Sequence, residues 1–140
     1  MRYWLIKTEP STWSWQDQVL KKITHWDGVR NYQASSSMKE MKKGDLAFFY
    51  HSVHEKQIVG IVEIVREYYP DFTDETGKFC MVDVRAVEAL SHPVSLALIK
   101  SDPRLSHLSL CRQSRLSVMP IDELSWKIIL EMGNKAIILY

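Results

Sequence analysis

The chain has little that would staple, span or chelate. Only two cysteines, Cys80 and Cys111, occur in 140 residues, and they share no CxxC spacing. That excludes a disulfide framework and a thiolate zinc cage, and it reads as reduced core thiols of an intracellular protein. No run approaches the roughly 20 apolar residues that cross a bilayer. Met1–Lys7 carries charge within its first apolar turn and lacks a small-residue cleavage site, so it does not read as a signal peptide. There is no Gly-rich phosphate loop, no GxSxG elbow and no HExxH. His51 and His54 stand near Glu55, but no further ligand follows, so no metal and no cofactor are expected. A net charge of +1 argues against a protein that grips many duplex phosphates.

What is present is an ordinary globular mix, 46% hydrophobic and 25% charged, without a linker or an internal repeat. One domain over residues 1–140 is expected. The charge is unevenly spread. Basic residues gather from Lys21 to Lys43 and again from Lys100 to Arg115, while carboxylates gather from Glu63 to Glu75. A positive face on a neutral body suits a few phosphate contacts, and it equally suits a solvated surface.

Patterning predicts strands at Tyr3–Lys7, Leu46–Tyr50, Gln57–Arg66, Phe79–Leu90 and Leu116–Pro120. Gly60, inside the third of these, marks a bulge or a close approach by another group. Ser14 with Asp17 opens a helix whose stripe runs Trp15, Val19, Ile23 and Trp26 and ends at Asp27-Gly28. A second helix covers Gln33–Met41, and helical turns cover Ser95–Lys100 and Asp102–His107. The last helix runs Asp122–Met132 with Leu124, Ile128 and Met132 inward and Gly133 just beyond it. Lys135–Tyr140 reads as an added edge strand. Strands interrupted by short helices, without a βαβ rhythm, point to an α+β fold with a partly closed sheet.

Three loop segments hold the side chains that chemistry would need. Trp26-Asp27-Gly28-Val29-Arg30-Asn31-Tyr32-Gln33 brings aromatics, amides and a guanidinium to a sharp turn. Tyr50-His51-Ser52 and Arg115-Leu116-Ser117 sit where apolar strands meet polar sequence. Rings that stack on a base, with amides and hydroxyls that read its edge, make a nucleobase pocket. On composition alone Trp26 and Tyr32 serve such a pocket or the core equally well. Lys7-Thr8-Glu9 is the only compact trio of reactive types, and a lysine beside a carboxylate is more often an ion pair than a catalytic couple.

These same segments resemble the EVE domain family. The opening Tyr3-Trp4-Leu5-Ile6-Lys7-Thr8-Glu9-Pro10 matches its first strand and turn, and Trp26–Ala34 matches its most recognisable motif. Phe49–Ser52, Ile58–Ile61, Tyr69–Asp71, Met81–Val84 and Arg115–Val118 follow in the family's order. The resemblance implies a PUA-like mixed β-barrel flanked by short helices, similar to the YTH readers of methylated adenine. It implies a binding module for a modified nucleobase, above all a modified cytosine such as 5-methylcytosine, in DNA or RNA. By that resemblance Lys7, Thr8 and Glu9 line one wall. Val29, Arg30, Asn31, Tyr32 and Gln33 form another, Tyr50, His51 and Ser52 the floor, and Arg115 and Ser117 the rim. Trp26 is a pocket wall or a brace. The family commonly has serine at Thr8 and an arginine–asparagine pair at Ser35-Ser36, and the Val53–Gln57 and Asp71–Phe79 loops are short. No membrane attachment is expected, a monomer is favoured with the oligomeric state left open, and the location is cytoplasmic, or nuclear in a eukaryote. The alternative is a small hydrolase acting on a modified nucleobase or nucleoside through Lys7, Thr8 and Glu9.

Overall fold

The computed structural model describes residues 1–134, so the Lys135–Tyr140 segment lies outside the described residues. Six strands form one mixed sheet in the order β2-β5-β4-β3-β1-β6. They are β1 (Tyr3–Thr8), β2 (Ile23–Trp26), β3 (Leu46–His51), β4 (Gln57–Pro70), β5 (Cys80–Ser95) and β6 (Val118–Ile121). The helices are α1 (Trp15–Lys21), α2 (Tyr32–Glu40), α3 (Leu96–Ser101), α4 (Ser109–Arg112) and α5 (Glu123–Asn134), with a 3-10 turn at Pro103–Leu105. The fold is α+β.

At the centre, β1 runs parallel to β3, with Trp4, Leu5 and Ile6 beside Ala47, Phe48 and Phe49. All six are fully buried. Consecutive apolar residues are what a strand covered on both faces requires. Asp45 locks this centre at one end, accepting from the amides of Arg2 and Lys42 and from the Trp4 indole at 2.9–3.0 Å. On one side Trp126 of α5 stacks on Phe48 at 3.8 Å and on Tyr3 at 4.5 Å. Among the described residues β6 pairs only with β1, and an edge strand tolerates the missing N–H of Pro120.

The long β4–β5 hairpin gives the sheet its curl. Its register slips at four places, between Ile58 and Gly60, Ile61 and Val62, Ile64 and Arg66, and Arg66 and Tyr69. Each slip bends and twists the ribbon. The two sheet edges therefore come round towards one another, and Thr24–Trp26 of β2 share a cleft with Ser117, just before β6. Both readings of Gly60 hold. It lies at a register shift, and a Cβ there would fall 2.6 Å from the Trp15 ring.

Two expectations are corrected. The first helix stops at Lys21, and Ile23–Trp26 is a strand antiparallel to β5. Lys22 turns the chain through φ 70°, and the buried Gln18 amide donates to Lys22 O and Val84 O. Val19 and Ile23, read as core, are nearly half exposed. In α5 Ile128 faces inward as expected, beside Ser125, Trp126 and Ile129, while Leu124 is 68% exposed and Met132 only half-buried. Gly133 falls inside this helix, where its missing side chain lets it close on Leu90.

Candidate functional site

A cleft of about 450 Å³ opens where β1 ends beside β2. β1 supplies Lys7 and Thr8, and the turn after it supplies Thr12 and Trp13. β2 supplies Thr24, His25 and Trp26, the following loop Asp27 to Arg30, and Ser117 closes the far side. A cleft of this size falls in the usual range for a small-ligand site, roughly 300–1,000 Å³.

Each wall is held from behind. The Thr8 hydroxyl donates to Trp13 O at 2.9 Å, and the Trp13 indole N–H donates to Gln18 Oε1 at 2.9 Å. Thr8 thus faces the cleft as an acceptor, and Trp13 offers its ring. The Lys7 ammonium donates to Ser114 O at 3.3 Å and lies 5.6 Å from the Tyr50 ring centre. Burial pushes its pKa down. Trp26 is buried and meets Phe49 edge-on at 5.5 Å, so the same ring walls the cleft and braces the core. His25 Nδ1 lies 2.9 Å from Asp83 Oδ1 and 2.8 Å from the Tyr69 hydroxyl, which itself donates to Asp83 at 2.5 Å. Burial, reinforced by the Asp83 carboxylate, pushes Tyr69 up to about 12.

The outer loop depends on Asp71, a buried carboxylate at the end of β4. Its Oδ2 accepts from Gly28 N at 2.8 Å and from Arg30 at 3.0 Å, and its Oδ1 from Thr73 N and Oγ1 at 2.8 and 2.6 Å. Burial alone would raise its pKa. The hydrogen bonds from Thr73, Gly28 and Arg30 outweigh that and hold it below the usual carboxylate range. Gly28 sits at φ 78°, a conformation that suits a residue without Cβ.

The sequence-predicted residues divide. Lys7, Thr8, Trp26, Val29, Arg30 and Ser117 line this cleft; the others do not. Asn31 is the N-cap of α2, its side chain accepting from Ala34 N at 2.9 Å. Tyr32 is 66% exposed and leans on Phe79 at 5.1 Å, and Gln33 is exposed on the same turn. Glu9 is exposed, and its carbonyl closes the turn by accepting from Thr12 N and Trp13 N. The expected floor is a joint in the core. Tyr50 is buried, which pushes its hydroxyl up to about 12. His51 Nε2 accepts from Trp15 N at 3.0 Å, while Nδ1 meets Glu55 at 2.5 Å. Ser52 extends the β1–β3 ladder through its amide to Thr8 O. Arg115 is exposed beside Asn31 in a neighbouring depression. Sequence reasoning missed Thr12, Trp13, Thr24 and His25. Had Ile23–Trp26 been read as a strand, its two-residue period would have put Thr24 beside Trp26 on one face.

A second hollow, of about 520 Å³, lies at the other end of β1, lined in part by Arg2, His107 and Asp122. Ser125, His107 and Asp122 meet there, but Ser125 Oγ at 3.3 Å and Asp122 Oδ1 at 2.7 Å approach the same nitrogen, Nε2. Ser125 Oγ donates to Asp122 instead. A nucleophile relay needs the two ring nitrogens on opposite partners, so this cluster is the N-terminal cap of α5. Among the described residues no group of three His, Cys, Asp or Glu could hold a metal ion, and no helix is long and apolar enough to cross a membrane.

Comparison with known proteins bears on this site. Residues 2–132 match the EVE domain family. Human thymocyte nuclear protein 1 is 33% identical over 167 residues, spanning 95% of this chain and 74% of that protein. An NMR structure of a protein from Rhodopseudomonas palustris is 50% identical, with a TM-score of 0.90 over 95% of this chain and 93% of that one. Human THYN1, solved in complex with 5-methylcytosine-containing DNA, is 32% identical, with a TM-score of 0.91 over 97% of this chain and 99% of that one. With the match running from the first strand into the last helix, this chain belongs to the EVE domain family.

Proposed function

We propose that the protein is a non-catalytic reader that takes one modified nucleobase, a modified cytosine in the first instance, into the cleft between Trp13, Trp26 and the end of β1. The observation that carries this is the cleft itself: two indoles, an ammonium and hydroxyls converge on one hollow in a fold whose human relative was solved with 5-methylcytosine-containing DNA. Stacking on an aromatic ring contributes about 1–3 kcal/mol per base. Lys7, with one N–H spent on Ser114, keeps two donors for a base edge, and Thr8 keeps its lone pairs. An added methyl buried against the indoles contributes about 1 kcal/mol more, the scale of one methylene. A base reaches such a site only after leaving its stack, which favours single-stranded or flipped substrate.

Against a hydrolase stands the arrangement of Lys7, Thr8 and Glu9. The Thr8 proton is committed to Trp13 O and Glu9 lies exposed, so the three form no nucleophile–base couple. The test is a thermal-shift and calorimetric titration with 5-methyl-2′-deoxycytidine and its unmethylated counterpart. The methylated nucleoside should raise the midpoint more, since a ligand at a hundred times its Kd adds about 2.7 kcal/mol. Trp13→Ala should remove the effect. Equal weak responses to both nucleosides would refute the reading, and release of a free base in a single-turnover assay would favour the hydrolase.

A further inference from the structure

Beside the cleft lies a smaller depression of about 290 Å³, lined by Asn31 and the run Arg112 to Leu116. The two hollows adjoin on both sides along the chain. Arg30 lines the cleft and Asn31 the depression; Ser117 lines the cleft and Leu116 the depression. Lys7 bridges them, its ammonium donating from the cleft to Ser114 O. The cleft and the depression therefore lie side by side at Lys7.

The charged side chains lining it are Arg112 and Arg115. Their isolation is particular to them. Arg2, Arg30, Arg85 and Arg104 each pair with a carboxylate, Glu40, Asp71, Glu63 and Asp102 respectively. Arg66 lies over the Tyr69 ring. Arg112 donates through Nε to Ser106 O at 3.2 Å, which orients it without neutralising it. Among the described residues, the two guanidiniums with neither a carboxylate nor a ring partner therefore fall in one depression, next to the ligand cleft.

We propose that this depression seats a phosphodiester of the strand whose base occupies the cleft, with Arg112 and Arg115 supplying the positive charge. The proposal rests on the reader assignment above. Guanidinium forks match phosphate oxygens in geometry as well as charge. Two such contacts on a body of net charge +1 give a shallow salt dependence: the base selects, and the phosphate orients the strand.

The test uses the full chain and the Arg112→Ala/Arg115→Ala double variant. Each is titrated at several salt concentrations with a short single-stranded oligodeoxynucleotide carrying one 5-methylcytosine, with the matching oligoribonucleotide, and with free 5-methyl-2′-deoxycytidine. For the polymer the double variant should bind about tenfold more weakly at low salt, and the log–log salt slope should flatten by about one. Binding of the free nucleoside and the thermal midpoint should not change, and the double lysine variant should keep most of the slope. The tighter-binding of the two polymers tells which sugar the strand carries. An unchanged polymer slope in the alanine variant would overturn the phosphate seat, as would an equal loss for the nucleoside. If the wild type ignores the nucleoside yet its polymer slope still flattens on substitution, the base-reading assignment fails while the phosphate seat stands.

Discussion

Asp71 Oδ2 accepts the backbone amide of Gly28 at 2.8 Å, tying the loop over the cleft to the end of β4, forty-three residues away in sequence. The same oxygen takes Arg30 at 3.0 Å, so one carboxylate fixes both the turn and the guanidinium beyond it. The cleft's outer wall is thereby preorganised: the loop does not have to be ordered again when a ligand arrives.

Asp71→Asn should lower stability at neutral pH by about 2 kcal/mol, the scale of hydrogen bonds to a charged group when one partner is half exposed. The acid limb gives a sharper readout. A carboxyl whose folded pKa is depressed contributes stability that is present above its unfolded value near 4 and is lost as pH falls through the folded value. Wild type should therefore lose more stability below pH 4 than Asp71→Asn does in urea titrations. Parallel acid limbs would mean that the carboxylate is not favoured in the fold.

Gly60→Ala should cost about 1–3 kcal/mol, because the new methyl would lie 2.6 Å from the Trp15 indole, a ring fixed against Phe49. Trp15→Leu in the same chain should return part of that loss by opening the space. The double-mutant cycle measures it, and strict additivity would show that the two side chains do not compete.

Gly60 was legible in the sequence because a glycine inside a β-branched run has few explanations. The centre of the sheet was legible for a similar reason: Trp4-Leu5-Ile6 and Ala47-Phe48-Phe49 are uninterrupted apolar runs. The site was less so. Asn31 and Tyr32 have the chemistry of a base pocket, but asparagine is equally the chemistry of an N-cap, and only coordinates separate the two. Ile23–Trp26 was misread because Trp15, Val19, Ile23 and Trp26 keep helical spacing across a turn that Lys22 and Gln18 make through backbone geometry. Asp71 belongs to a recognisable motif, yet its distant partners, Gly28 and Arg30, are invisible to local pattern.

Asn31→Ala should separate the cap from the cleft. It should lower stability by about 1 kcal/mol through the lost bond to Ala34 N while leaving the affinity for free 5-methyl-2′-deoxycytidine within twofold. Asn31→Ser should keep most of the stability. Trp13→Ala should do the opposite, losing nucleoside affinity. If Asn31→Ala abolished nucleoside binding without touching the thermal midpoint, the pocket would lie on the α2 side after all.

Of the six tyrosines, Tyr50 and Tyr69 should ionise late, near 12, the first through burial and the second through burial beside Asp83. Both folded values are raised, so the stability they confer is complete below the unfolded tyrosine value near 10 and disappears as pH climbs through 12. Near-ultraviolet absorbance should show a late tyrosinate rise near 12 that coincides with alkaline unfolding. Tyr69→Phe should remove one late ionisation and free Asp83 to hold His25 alone. His25 lines the cleft, so this variant should also alter nucleoside affinity, whereas Tyr68→Phe, at an exposed position next in sequence, should leave that affinity unchanged. A single tyrosinate transition near 10 in the folded protein would show that neither hydroxyl is sheltered, and with it that the Tyr69–Asp83–His25 chain behind the cleft is open to water.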